Sequence, residues 1–290
     1  MRFKDLPLEE YFSSGHTGCQ GCGGAIVARL VGKILGEKTM VYVPASCLIV
    51  FGATYPLTSW KIPQLHVAFE NTGAVISGMK AGLRILGKKD INVVGIAGDG
   101  GTADIGLQAL SGAAERNEDV IYICYDNEAY MNTGTQRSGA TPYKASTTTT
   151  LHLGKSEHKK DVPSIVAAHN VPYVATASVG YPQDLINKIE KMKTIKGFRY
   201  LHVLSPCPPG WKFTSELTVQ IGKLAVDTGM WILYEIENGI ERITKKVIKR
   251  VPVKEYLKLQ GRFKHLDESQ IAHIQEMIEA KWAGIDINKP

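Results

Sequence analysis

Short, almost continuously apolar runs alternate along this chain with amphipathic helical segments, and this alternation constrains the fold more than any other feature. Residues 91–97 form one such run, as expected of a strand that is covered on both faces of a sheet. The predicted strands are 39–44, 65–69, 91–97, 120–125, 173–177, 200–204 and 231–236, and the predicted helices are 25–35, 72–86, 105–114, 183–192, 215–227 and 268–282. The pattern predicts an α/β fold with a mostly parallel, doubly wound sheet. Two long loops, 44–64 and 129–158, are expected to be functional or to face a partner.

Composition narrows the class of protein. With 44% apolar and 21% charged residues among 290, the chain is globular rather than disordered. It has no run of about 18 apolar residues that could cross a bilayer and no apolar signal-peptide segment near residue 1, so we expect a cytoplasmic protein. The net charge of +6 is modest. The basic stretch at 245–264 predicts a solvated face or, as the alternative, a surface for an acidic partner, and no nucleic-acid-binding motif accompanies it.

A Gly-Asp-Gly-Gly-Thr segment at residues 98–102 stands between a predicted strand and a predicted helix. Glycines let the backbone approach phosphate oxygens, and a helix N-terminus directs free N–H groups at them. Asp99 lies inside this turn, where its carboxylate would repel a phosphate unless a cation lay between them. Magnesium commonly bridges a carboxylate to a diphosphate. A second oxygen donor is then expected after the next strand, where Asn127 lies.

Two other interpretations of the glycine turn stay open. With Ala103 in the last place, the segment also fits the dinucleotide fingerprint G-x-G-x-x-G/A, which needs an acidic residue about 20 positions later. Glu118 and Asp119 are near that position, but they precede the next predicted strand instead of ending it. The other interpretation is a tight turn without a ligand.

Five cysteines, an odd number, argue against a disulfide framework and favour metal or redox use. Cys124 lies in the middle of a predicted buried strand and is expected to be a core residue. The other four lie in loops rich in glycine or proline: Cys19, Cys22, Cys47 and Cys207. Four thiolates can bind zinc or an iron–sulfur cluster, and their spacing favours neither.

Taken together, these motifs resemble the β subunit of pyruvate:ferredoxin oxidoreductase over about residues 14–240. The matching segments are Cys19-x-x-Cys22-Gly23, Cys47, His66-x-x-Phe69-Glu70-Asn71, Gly98-Asp99-Gly100-Gly101-Thr102-x-Asp104-Ile105-Gly106, Tyr125-Asp126-Asn127-Glu128-x-Tyr130-x-Asn132-Thr133-Gly134 and Pro206-Cys207-Pro208. The resemblance implies the diphosphate-binding half of a thiamine diphosphate fold, with loops that bear a cluster. It implies a domain at 1–240 that holds both groups and a C-terminal extension at 241–290 that faces a partner.

The resemblance also assigns roles to residues. Cys19, Cys22, Cys47 and Cys207 would bind a 4Fe–4S cluster, while Asp99, the Asn127 side chain and the Ala129 carbonyl would bind Mg²⁺. The residues implied to line the cofactor site are Gly24, Cys47, Gly98, Asp99, Gly100, Gly101, Thr102, Asn127, Ala129, Tyr130, Met131 and Asn132. Asn132 would be catalytic, beside the reacting carbon. Gly24 stands where longer, single-chain relatives have an acidic residue.

The implied reaction is the oxidative decarboxylation of a 2-oxoacid to acyl-CoA and CO₂, with electrons passed to ferredoxin. Pyruvate is the first candidate substrate, and branched-chain 2-oxoacids or oxalate are alternatives. The chain would act only with a pyrimidine-binding α subunit, a γ subunit and a ferredoxin-like δ subunit, and with coenzyme A; no nucleic acid or membrane is implied. The remaining alternatives are an NAD(P)-dependent dehydrogenase, a cluster-bearing electron-transfer or assembly protein, and a zinc-stabilised scaffold.

Overall fold

A computed structural model describes residues 1–53 and 56–285. An eight-stranded sheet runs through the described chain in the order β2-β1-β3-β4-β6-β5-β7-β8. The strands are β1 Thr39–Pro44, β2 Gln64–Val67, β3 Asn92–Gly98, β4 Ile121–Asp126, β5 Tyr173–Ser178, β6 Arg199–Leu204, β7 Tyr234–Glu237 and β8 Ile240–Ile243. Strands β1 to β6 pair in parallel, and β7 and β8 pair antiparallel. The predicted α/β class and mostly parallel sheet are confirmed.

Helices cover both faces of the sheet, so it is doubly wound as predicted. The helices are α1 Gly23–Leu35, α2 Cys47–Gly52, α3 Thr72–Ile85, α4 Leu107–Glu115, α5 Val162–Ala167, α6 Pro182–Thr194, α7 Pro208–Trp211, α8 Thr218–Asp227, α9 Val253–Leu257 and α10 Glu268–Ala283. Successive strand residues point to opposite faces. Val41 and Val43 therefore pack with α1, α2 and α6, while Tyr42 packs with α3, α4 and α5.

Three local predictions need correction. The last predicted strand, 231–236, begins only at Tyr234, and it is followed by β8 through a two-residue turn. That turn is Asn238-Gly239, with φ of 48° and 80°, and this pair is a strong hairpin signal because both positions need positive φ. The predicted helix 105–114 begins at Leu107, after a π-helical turn at Gly100–Asp104. The predicted loop 44–64 contains α2, whereas 129–158 is irregular as expected.

The C-terminal part packs against the body of the fold. Helix α10 begins with a capping box at Asp267 and buries Ile274, Ile278 and Trp282 in a third apolar cluster together with α8 and α9. The predicted packing helix at 268–282 is thus confirmed. Within the described residues, no helix is both long and apolar enough to cross a membrane.

Close packing of α3 on α4 makes a prediction about Gly73. A Cβ added there would lie 2.6 Å from the Ala109 carbonyl carbon and still nearer its oxygen. We expect Gly73→Ala to lower the free energy of unfolding by about 1–3 kcal/mol, because overpacking forces the helices apart. Gly78→Ala on the same helix is the control, since its Cβ meets nothing within 4 Å and alanine favours helix by about 0.5–1 kcal/mol. Urea unfolding that ranks the two variants equally would contradict this packing.

Candidate functional site

The carboxyl ends of β3, β4 and β6 lie side by side, because these parallel strands are neighbours in the sheet. Each strand continues directly into a segment that the sequence singled out. Strand β3 leads into Asp99 and the π-helical turn, β4 into Asn127, and β6 into the loop with Cys207. The fold therefore gathers the predicted site residues at one edge of the sheet, which is where open α/β sheets bind ligands.

Three oxygen-bearing groups meet at this edge. Asp99 is 1% exposed, and the Ser138 hydroxyl donates a 2.6 Å hydrogen bond to its Oδ2. One terminal atom of the Asn127 amide lies 2.9 Å from Asp99 Oδ1 and 2.9 Å from the Ala129 carbonyl oxygen. If that atom is nitrogen, it donates to both oxygens; if it is oxygen, three oxygens face one another.

The spacing of these groups fits magnesium. Octahedral Mg²⁺ holds oxygen ligands at about 2.0–2.1 Å, so two adjacent ligands lie roughly 2.9 Å apart. The Asn127 amide stands at that distance from both other predicted ligands. The electrostatics also favour a cation, because burial raises the pKa of Asp99 well above its usual range and the Asp126 carboxylate raises it further.

The glycine turn is packed beneath Tyr130. A Cβ on Gly100 would overlap the Tyr130 ring, and the Tyr130 hydroxyl donates a 2.8 Å hydrogen bond to Asp104 Oδ2. The Thr102 hydroxyl points inward and donates to the Gly98 carbonyl at 2.8 Å. The backbone N–H groups at the start of the turn are therefore what this segment offers to a ligand, since a first helical turn leaves them without intrahelical acceptors.

All five cysteines lie in the described chain and are free thiols. Cys19 and Cys22 precede α1, Cys47 begins α2 and Cys207 precedes α7. The Gly23 N–H donates to the Pro206 carbonyl at 3.2 Å, which joins two of these loops. Cys124 is buried in β4, as predicted for a core residue.

The four loop cysteines are electrostatic neighbours. Burial raises the pKa of Cys47 to about 12, and the thiols of Cys22 and Cys19 raise it further. Burial likewise raises the pKa of Cys207 to about 12, and the thiols of Cys22, Cys47 and Cys19 raise it further. The Gly210 N–H donates to the Cys207 sulfur and lowers that pKa. A positively charged metal centre would relieve the cost of ionising these thiols.

The thiols do not form a single-ion site. Among residues 1–53 and 56–285, no three His, Cys, Asp or Glu side chains converge closely enough to hold one metal ion. Sulfurs on one tetrahedral Zn²⁺, each about 2.3 Å from the metal, would lie roughly 3.8 Å apart. A 4Fe–4S cluster instead takes one thiolate on each iron, so its four sulfurs stand farther apart. The Asp99 site is not of this kind, because its other predicted ligands are the Asn127 amide and the Ala129 backbone carbonyl.

Two of the remaining predicted residues, Gly24 and Met131, lie beside the cysteine loops. A Cβ on Gly24 would lie 3.2 Å from the Tyr125 ring and 3.7 Å from the Cys22 sulfur. Met131 packs over Gly210, beside Cys207. Asn132 is exposed on the turn that follows Met131, so the structure does not bring it into the cluster of oxygens.

Sequence reasoning missed a buried ionic network behind Asn127. Lys159 Nζ lies 2.6 Å from Asp126 Oδ2 and 2.7 Å from Glu128 Oε1. His202 Nε2 lies 2.7 Å from the same Asp126 oxygen, and Arg262 reaches Glu128 Oε2 at 2.7 Å. Asp126 and Glu128 lie within a matching motif, whereas nothing in the sequence signals their distant partners Lys159, His202 and Arg262.

Comparison with known proteins places these features in context. Residues 45–203 match the family "Thiamine pyrophosphate enzyme, C-terminal TPP binding domain". The chain is 54% identical to pyruvate synthase subunit PorB of Methanothermobacter thermautotrophicus, over 95% of this chain and 97% of the relative. It is 48% identical to ketoisovalerate oxidoreductase subunit VorB of Pyrococcus horikoshii, over 96% and 93%.

A solved structure supports the fold. The 2-oxoglutarate:ferredoxin oxidoreductase from Magnetococcus marinus, with 2-oxoglutarate, coenzyme A and succinyl-CoA bound, superposes with a TM-score of 0.60 at 19% identity. The match covers 99% of this chain and 97% of that one. At this identity the likeness shows the fold alone.

The bond from Ser138 to Asp99 makes a prediction about stability. Ser138→Ala leaves the buried Asp99 Oδ2 without its donor, so we expect the free energy of unfolding to fall by about 1–3 kcal/mol. Ser156→Ala is the control, because that exposed hydroxyl bonds to the exposed Glu157 and surface changes stay within about 0.5 kcal/mol. Denaturant unfolding in which Ser138→Ala matches this control would refute the bond's importance.

Proposed function

Because the chain belongs to the family of 2-oxoacid:ferredoxin oxidoreductase subunits, we propose that it holds thiamine diphosphate, Mg²⁺ and a 4Fe–4S cluster in an enzyme that oxidises pyruvate. The family membership makes it an oxidoreductase subunit that needs partners. The observation that carries the proposal is that one terminal atom of the Asn127 amide lies 2.9 Å from Asp99 Oδ1 and 2.9 Å from the Ala129 carbonyl oxygen. The four loop thiols lie around the same edge of the sheet.

The chain's own residues divide into two sets. Asp99, Asn127 and Ala129 would hold the magnesium, and the backbone of Gly98, Gly100, Gly101 and Thr102 would contact the diphosphate. When bound, thiamine diphosphate supplies a carbon nucleophile that adds to the 2-oxo group. It also supplies a ring that accepts the electron pair left behind when CO₂ departs. Asn132, exposed beside the site, would donate a hydrogen bond to the substrate.

The second set would hold the electron acceptor. Cys19, Cys22, Cys47 and Cys207 provide one thiolate for each iron of a 4Fe–4S cluster. Cys22 lies beside Gly24, and Cys207 lies beside Gly210, over which Met131 packs; these contacts support a cluster next to the proposed cofactor. The thiols influence one another's pKa, which supports a shared metal centre, and the electron transfer that the proposed reaction requires supports a cluster over zinc, because zinc has no redox chemistry.

The substrate is proposed from the relatives. The chain is more similar to the pyruvate synthase subunit of Methanothermobacter thermautotrophicus, at 54% identity, than to the ketoisovalerate oxidoreductase subunit of Pyrococcus horikoshii, at 48%, which supports pyruvate. The pyruvate synthase subunit of Pyrococcus furiosus is 43% identical, so identity ranks individual relatives rather than the two substrates. The similarity to the ketoisovalerate oxidoreductase subunit keeps a branched-chain 2-oxoacid as the second candidate.

The reaction would be completed on other subunits and by other reactants. We propose a pyrimidine-binding α subunit, which would complete the cofactor site, together with a γ subunit and a ferredoxin-like δ subunit. Coenzyme A would take the acyl group, and ferredoxin would take the electrons. The exposed Lys245, Lys246 and Lys249 suit an acidic partner at the C-terminal extension.

Two variants of the anaerobically purified complex test separately the proposed magnesium ligands and the proposed cluster ligands. Asp99→Asn removes the proposed anionic magnesium ligand, so we expect thiamine diphosphate affinity to fall at least 10–100-fold with iron content unchanged. Cys207→Ser should lower iron and acid-labile sulfide while thiamine diphosphate remains bound. Cys124→Ser is the matched control, because this cysteine is in the core.

Either of two results would contradict the assignment. One is that Asp99→Asn binds thiamine diphosphate with the affinity of the unmodified complex. The other is that Cys207→Ser and Cys124→Ser retain equal amounts of iron.

A further inference from the structure

Asn127, Glu128 and Ala129 form a bend in the backbone after β4, called here the corner. Arg262, in the C-terminal segment of the chain, contacts this corner. We infer that Glu128 and Arg262 act as a clamp that positions the magnesium ligands on either side of Glu128. The inference rests on the proposed function, because it concerns the same metal site. It makes the C-terminal segment part of that site and assigns Arg262 as a positioning residue.

Glu128 has a backbone conformation that needs support. Its φ is +67°, in the left-handed region, where a residue with a side chain is strained. Such a conformation persists only where the surroundings fix it. Asn127 and Ala129 flank Glu128, so its backbone determines how the Asn127 side chain and the Ala129 carbonyl face Asp99. A relaxed corner would move these oxygens apart.

The backbone N–H, the carbonyl and the Oε1 oxygen of Glu128 are hydrogen-bonded, whereas Oε2 faces Arg262 as an ion pair without hydrogen-bond geometry. Its N–H donates to Asp126 Oδ1 at 2.9 Å, and its carbonyl accepts from the Thr141 hydroxyl at 2.7 Å. Glu128 is 4% exposed, and its carboxylate lies between two cations. Lys159 Nζ is 2.7 Å from Oε1, and Arg262 Nη2 is 2.7 Å from Oε2.

Arg262 is itself rigidly placed. It is 2% exposed, and its Nε donates to Gln260 Oε1 at 2.9 Å. Its guanidinium carbon lies 3.7 Å from the centre of the Trp211 ring, a stacking geometry that lysine cannot reproduce. The Gly261 N–H donates to the Lys212 carbonyl at 3.0 Å, which docks this segment on the end of α7.

Arg262 therefore acts on the corner at two points. One is the ion pair with Glu128, and the other is Trp211, whose indole N–H donates to the Asn127 carbonyl at 2.7 Å. The Trp211 backbone N–H in turn donates to the Cys207 carbonyl at 2.8 Å. The same contacts thus join the proposed magnesium corner to one of the proposed cluster loops.

Charge balance makes the clamp necessary. Two buried carboxylates, Asp126 and Glu128, are matched by Lys159 and Arg262, while His202 bonds Asp126. Without Arg262, both carboxylates would share Lys159, and one of them would remain under-compensated in a buried place. A buried charge that loses its partner is expelled or rearranges. Glu128 is the carboxylate that would lose one of its two cations, and a shift of its side chain would displace the corner.

The test uses the assembled complex, freed of thiamine diphosphate and divalent cations with a chelator. Isothermal titration with thiamine diphosphate is repeated over a series of Mg²⁺ concentrations. We expect Arg262→Met to raise the Mg²⁺ concentration needed for half-maximal binding by 10–100-fold, the usual effect of losing a residue that orients a metal ligand. At saturating Mg²⁺ the number of sites should equal that of the unmodified complex, and iron content should not change. Lys264→Met is the matched control, an exposed cation two residues away.

The outcomes separate the inference from the function it rests on. If the unmodified complex binds no thiamine diphosphate with Mg²⁺, the proposed function fails. If it binds and Arg262→Met has the Mg²⁺ requirement of Lys264→Met, only the clamp is overturned. A general loss of structure would reduce the number of sites and the iron together at every Mg²⁺ concentration, which also overturns it. If Arg262→Met does not accumulate as folded protein, Glu128→Gln decides the matter, because it keeps the shape and removes the charge; an unchanged Mg²⁺ requirement would then refute the clamp.

Discussion

A carboxylate buried in a glycine turn is the constraint on which this structure depends. Asp99 lies at the carboxyl end of β3, almost without solvent, where burial strongly disfavours its charge. The Ser138 hydroxyl and the Asn127 amide, which both contact the carboxylate, offset part of this cost. The irregular loop 129–158 contacts the turn through Ser138 on Asp99 and through Tyr130 on Asp104. A magnesium ion among the same oxygens would convert an electrostatic cost into a binding site.

The sheet topology explains why two kinds of chemistry meet in one chain. Strand β4 lies between β3 and β6, so the segments after these strands are brought together without long connections. Trp211 links them, because its indole bonds Asn127 and its backbone bonds Cys207. The proposed cofactor and cluster are thus supported by a shared rigid contact, which suits electron transfer between neighbouring groups. The C-terminal segment completes that support through Arg262.

Features that depend on local interactions were predicted from the sequence more accurately than features that depend on contacts between distant residues. Apolar periodicity located β1 to its exact residues, because a strand covered on both faces leaves an unbroken local signal. Asp99 and Asn127 could be grouped because each follows a strand of the predicted parallel sheet, whereas Ala129 was assigned only through the resemblance to a known family. Asn238-Gly239 carried a readable hairpin signal that was overlooked. The pairing of Glu128 with Arg262 could not be predicted, since a buried ion pair between distant segments leaves no pattern in either of them.

The most direct test of the central claim is the iron, zinc and acid-labile sulfide content of this chain after anaerobic purification. If the four loop cysteines hold a 4Fe–4S cluster beside the thiamine diphosphate site, the chain will contain about four irons and four sulfides and little zinc. About one zinc per chain without sulfide would contradict the account, because the proposed electron acceptor would then be missing.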